Sequence, residues 1–131
     1  MDIGQLDVVG AANEGAPMTL RHWATGEKTD VIIHVLGFDS DVVQEAERAE
    51  YKAMMGEEKE VELSDKIDRA RLAKVKAAIV SIENLTDGGQ QIKTGVDIAP
   101  YLDKPIGITI VEQVSKFASD RANLFPKPST D

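Results

Sequence analysis

Between Ser64 and Ile82 the chain sets Leu72, Val75, Ile79 and Ile82 three, four and three residues apart. At 3.6 residues per turn that spacing gathers all four side chains on one face of a helix, which some other element must cover. Ser64 is an N-cap residue type and opens the expected helix. Its end is expected within Val80-Ser81-Ile82-Glu83-Asn84-Leu85-Thr86-Asp87, ahead of the turn signal Asp87-Gly88-Gly89.

The elements that could cover this face lie on both sides of it. Met18 to Trp23 and Thr29 to Leu36 are extended, with Val31, Ile33 and Val35 on one face by the period-two rule, and Ala24-Thr25-Gly26-Glu27 supplies a turn. The pair forms a β-hairpin that is marginal in water alone and must pack on helices. Asp39 or Ser40 caps a second helix through Val42, Val43, Ala46, Ala49, Tyr51 and Ala53, with Gly56 as its stop. The Glu-rich stretch Glu57 to Glu62 follows as a solvated link, where Val61 and Leu63 leave room for a short strand. Thr94 and Asp97 have capping-box spacing and start a short helix over Val96 to Leu102. Asp103-Lys104-Pro105 starts the last helix, whose stripe is Ile106, Ile110, Val114, Phe117 and Leu124 or Phe125. The expected fold is therefore α+β, a mainly helical single domain over 1–131 with an N-terminal β-hairpin packed on three to four helices. Residues 1–16 read as an irregular leader and 126–131 as a flexible tail.

Composition narrows the function. In 131 residues, 15 basic and 23 acidic side chains leave a net charge of −8, which argues against nonspecific nucleic-acid binding. There is no cysteine, hence no disulfide, thiolate metal site or cysteine nucleophile. The first residues lack a basic n-region and a long apolar run, so no secretory signal is expected, and no apolar stretch approaches the roughly 20 residues of a membrane helix. A cytoplasmic protein without membrane contact is the resulting expectation.

Constellations for chemistry are sparse. His22 and His34 are the only histidines, and the hairpin spaces them too far apart along its strands to share a metal. The carboxylates come in runs such as Glu57-Glu58 and Glu60, the pattern of solvated faces. Asp87-Gly88-Gly89 lacks the lysine and hydroxyl of a phosphate loop and reads as a turn. Met54-Met55 is either core filling or an adaptable contact surface. One segment opposes the global charge: Lys66, Arg69, Arg71, Lys74 and Lys76 stand against Asp65 and Asp68. It is a solvated helix face, or a dock for an acidic partner or for the Glu-rich link of a neighbouring copy. No catalytic residue, cofactor or metal ligand is nominated, and binding is the expected work.

Three stretches resemble the tail assembly chaperones of long-tailed bacteriophages. Pro17-Met18-Thr19-Leu20-Arg21-His22, Thr25-Gly26-Glu27 and Asp30-Val31-Ile32-Ile33 are similar to their opening hairpin; Leu72 through Asn84-Leu85-Thr86-Asp87-Gly88 to their central helix and turn; and Val111-Glu112-Gln113-Val114 to Asp120-Arg121-Ala122-Asn123-Leu124-Phe125 to their closing helix. Relatives often carry Trp where this chain has Ile82, so one aromatic anchor of that pattern is missing. The resemblance implies a protein that binds the tape measure protein, keeps its long apolar helices soluble, helps recruit tail tube subunits and leaves before the virion matures. It implies self-association along the client and residence in the cytoplasm of the infected host. The apolar stripes nominate Leu72, Val75, Ile79, Ile82, Val114, Phe117, Leu124 and Phe125 as partner-binding residues. Many of these proteins also exist in a longer form made by minus-one frameshifting, and Phe125-Pro126-Lys127 is compatible with a slippery C-CCA-AAG heptamer. The rival reading is a structural tail or head-tail connector protein of the virion; an enzyme is the third.

Overall fold

The computed structural model describes residues 1–57 and 59–124; Glu58, Phe125 and the expected tail over 126–131 lie outside the described residues. Four strands, β1 (Ala16–Arg21), β2 (Lys28–Val35), β3 (Ile79–Asp87) and β4 (Gln90–Thr94), form one antiparallel sheet in that order. The helices are α1 (Val8–Glu14), α2 (Asp41–Met55), α3 (Leu63–Ala78), α4 (Gly95–Leu102) and α5 (Ile108–Ser119). The fold is α+β, as expected, with a larger sheet than the hairpin alone. No helix among the described residues is long and apolar enough to cross a membrane.

Strand register explains the core. Met18, Ile33 and Ile82 form one row across the sheet, and Ala16, Val35 and Ile79 another, so their side chains share the covered face. Against that face pack Val75 and Ala78 of α3, Ile98 and Leu102 of α4, and Ile110, Val114 and Ala118 of α5. The next row, Thr19, Ile32 and Glu83, turns to the opposite, largely polar face.

The expected central helix stops early. Ile79 begins a nine-residue strand, so Ile79 and Ile82 sit on β3 rather than on the helix. Two irregularities mimic helical spacing there. Val35 pairs with Ile79 while His34 pairs with Ser81, leaving Val80 as an extra residue; a second register shift falls between Ser81 and Leu85. Asn84 sits in that second interval at φ 66°, and its amide donates to the Asp30 carbonyl at 2.9 Å. Each bulge turns a three-residue step into a same-face step, so Ile79, Ile82 and Leu85 all face the core. Gly88 and Gly89, both at positive φ, close the β3–β4 hairpin.

Other boundaries move for local reasons. The leader is ordered: a 3-10 turn spans Ile3–Leu6, and Asp7 caps α1 by accepting from the Gly10 amide at 2.8 Å. A seven-residue helix is marginal alone; α1 is held by Asn13, which bonds Asp41, and by the Gly37 amide donating to the Ala12 carbonyl at 3.0 Å. Gly37 is required there, because a Cβ would stand 2.4 Å from Leu124 Cδ1 and 2.8 Å from Ala12 Cβ. Ser40, fully buried, caps α2 as expected. Ser64 lies inside the first turn of α3, whose N-cap is Glu62, and the Glu-rich link forms no strand among its described residues. Thr94 and Asp97 make the expected capping box on α4. Pro105–Gly107 is a separate 3-10 turn before α5, and α5 ends at Ser119, so Ile106 and Leu124 are outside that helix.

Three of the five basic side chains of α3, Arg69, Lys74 and Lys76, are answered within the chain. Arg69 pairs with Glu50 at 2.8 Å and with Glu57 at 2.6 Å, Lys74 with Glu47 at 3.2 Å, and Lys76 with Asp103 at 2.7 Å. Three of these four contacts join α3 to α2 and to the start of the Glu-rich link, so the link that could have met a neighbouring copy already meets Arg69.

Candidate partner-binding surfaces

Most nominated side chains hold the fold together. Val75 and Val114 are fully buried, and Ile79, Ile82 and Leu124 nearly so, while Phe117 is half-buried against the same core. Val75, Val114, Ile82 and Leu124 leave almost no surface for a partner in this conformation, because the sheet and the packed helices cover the face that the stripes present. Leu72 is half-buried and reaches a surface groove, Ile79 lies at the floor of another, and Phe125 is outside the described residues.

The exposed apolar side chains form two surfaces elsewhere. The first is a trough beginning at the turn after β1. Trp23 is 79% exposed there, stacked on the His22 ring at 5.6 Å, and faces Ile106, 73% exposed on its 3-10 turn, and the half-exposed Ile108. Arg21, Pro105, Thr109, Glu112 and Gln113 complete this end, which encloses about 810 Å³. Ile108 and Glu112 also line a 230 Å³ continuation between α3 and α5, floored by Leu72, Leu102 and Val111 and edged by Asp68 and Arg71. Gln113 fixes one wall: it accepts from the Arg21 amide at 2.8 Å and donates to the Arg21 carbonyl at 2.9 Å. The edge of β1 is thereby closed to strand addition at this point, leaving side-chain packing as the mode of contact.

The second surface is a wide groove of about 940 Å³ between α3 and α4. Ala46, Ala73, Ala77 and Ala99 line it, with Val96, 83% exposed, and the exposed Val80 standing at its margin. Small side chains on the floor let another helix approach closely, and the valines offer edges to pack on. The Lys76–Asp103 ion pair spans one side.

The polar groups near these surfaces are structural. Tyr101 donates to Asp87 at 2.5 Å, tying α4 to the β3–β4 hairpin and pushing the phenol above its ordinary value. Asp97 is held below the usual carboxylate value chiefly by the Lys93 amide, then by Thr94. His22 accepts from the Ala24 amide at 3.1 Å, and His34 contacts the Glu14 carbonyl at 3.0 Å. Among the described residues no three His, Asp or Glu side chains cluster as a metal site.

Comparison with protein-family models, curated proteins and solved structures found no match to the chain. The residues that sequence reasoning passed over are Trp23, Ile108, Val80 and Val96, and Ile106, expected in the last helix's apolar stripe, stands exposed on the 3-10 turn before that helix. A signal existed for Trp23, a tryptophan beside a Gly-containing turn.

Proposed function

We propose that the chain is a tail assembly chaperone of a long-tailed bacteriophage, which binds the tape measure protein, keeps it soluble and helps recruit tail tube subunits in the host cytoplasm. The observation that carries this reading is the pair of separate, unpartnered apolar surfaces on one small acidic chain. A protein that coats a long client needs one surface for the client and another for its neighbours. The Ala-floored groove suits an amphipathic client helix, whose ridge of side chains enters between α3 and α4 while its backbone comes close to the alanines. The net charge of −8 keeps a chain with so much exposed apolar surface in solution.

Release follows from the absence of a deep anchor in this groove. Contacts to alanine and valine are individually weak, so many copies hold one client and each leaves readily when tube subunits compete. The resemblance also implies a longer, frameshifted product, which the codons at Phe125-Pro126-Lys127 test directly: codons that break the heptamer remove that element. Co-expression with the tape measure protein of the same genome tests the function. Joint purification in the soluble fraction is the expected result, and a tape measure protein equally soluble without the chain contradicts it. The alternative, a structural tail or connector protein, draws on the same exposed surfaces, which a permanent subunit would also bury. Mass spectrometry of purified virions separates the two, since a chaperone is absent from them.

A further inference from the structure

The segment before α1 stands out for what it fails to bury. The turn Ile3–Leu6 contains no buried residue; Met1 is 98% and Ile3 83% exposed, and Leu6 and Val9 are exposed as well. One chain therefore carries an apolar arm without a seat and an apolar trough without an occupant. We infer that residues 1–9 of one copy seat in the Trp23 trough of a second copy, linking chains head to tail.

Three observations support a second copy as the occupant. Charge is the first: the arm carries Asp2 and Asp7, and no basic side chain occurs before Arg21. The trough presents Arg21 and Arg71, neither with a carboxylate within 4.0 Å among the described residues. Asp68 lines the α3–α5 end and Glu112 both ends, so carboxylates of the arm are favoured beside the two arginines and disfavoured beside these two, which limits where along the trough they can lie.

Geometry is the second. Asp7 ties the arm to α1, and α1 is fastened at the Ala16 end of β1 through Glu14 with His34 and Ala12 with Gly37. Trp23 lies past the other end of β1, about 17 Å along the strand. Arm and trough thus lie at opposite ends of β1, which suits a heterologous contact that repeats instead of closing as a simple pair. Area is the third: Met1, Ile3, Leu6 and Val9 with Trp23, Ile106 and Ile108 expose on the order of 1,000 Å² between them, so a contact that covers nearly all of it reaches the lower bound for a specific interface.

The contact leaves the α3–α4 groove open, so linked copies can lie along one client. It does not depend on the client reading, and its test uses this chain alone. Sedimentation across a concentration series is expected to show wild type growing beyond a dimer. Ile3→Asp combined with Leu6→Asp, and Trp23→Ala separately, are each expected to weaken association at least tenfold with unchanged circular dichroism and melting. Mixing the two variants gives the sharper result. The arm variant keeps an intact trough and the Trp23→Ala variant keeps an intact arm, so together they form a one-to-one complex that grows no further. Wild type that stays monomeric, variants that assemble like wild type, or a mixture that stays monomeric would each overturn the inference.

Discussion

Ile33 sits between Met18 and Ile82 in one row of the sheet and is fully buried. Truncation to alanine leaves a cavity in the middle of the core, and Ile33→Ala is expected to lower unfolding stability by about 2–5 kcal/mol in urea melts. Thr94→Ala removes the hydroxyl that accepts from the Asp97 amide and should cost about 1 kcal/mol in the same assay. The Asp39–Arg121 pair acts through pH. Arg121 donates to both carboxylate oxygens, at 2.8 and 3.1 Å, and this hydrogen bonding, ahead of the opposing effect of burial, holds Asp39 below its ordinary 3.8. The unfolded chain takes up that proton first as pH falls. The contribution is therefore full above the ordinary carboxylate value and is lost as pH drops through the lower, folded one. Because Arg121 is largely exposed, solvent screens the pair and its contribution is small. Asp39→Asn should flatten the acid limb of a melting-temperature profile and leave neutral pH little changed.

At the scale of elements, β3 shows what residue spacing conveys and what it hides. Apolar positions three apart have two solutions, a helix face or a strand with a bulge in each interval, and only the partners Val35 and Leu85–Ile92 distinguish them. Asn84 marks the second bulge, and its left-handed backbone gives a test. Asn84→Ala combines backbone strain of about 1–2 kcal/mol with loss of the bond to Asp30, whereas Asn84→Gly relieves the strain and should destabilise less by thermal melting. The first hairpin, α2 and the capping box of α4 were legible because their signals are local: alternation around a Gly turn, Ser40 before an apolar run, Thr94 three residues before Asp97. The order of α1 was not, since Asn13 and Ala12 depend on Asp41 and Gly37, which are distant in sequence. The same holds for the surfaces: the stripe through Val75 and Ile82 and the separate one through Val114 picked out core side chains, with Ile82 on β3 and not on the expected helix, but which faces remain open is settled by the sheet that covers them.

The whole molecule joins a well-packed interior to an exterior with unmet apolar demand. Arg69 and Lys74 answer α2 and Glu57 of the Glu-rich link in charge, so this part of the cationic segment is an internal clamp, while Arg71 stays at the surface. Two surfaces remain open, the Trp23 trough and the groove edged by Val80 and Val96, the first proposed for neighbouring copies and the second for the client. The exposed side chains at their edges, Trp23, Ile106, Val80 and Val96, stabilise the monomer little, so they can be changed without unfolding it, within about 0.5 kcal/mol for such surface sites. The most direct measurement is the soluble fraction of the tape measure protein co-expressed with wild type or with the Val80→Asp, Val96→Asp double variant. Soluble, co-purifying client is expected with wild type and insoluble client with a variant that itself remains folded. Equal client solubility with both, or without this chain, would overturn the proposed function.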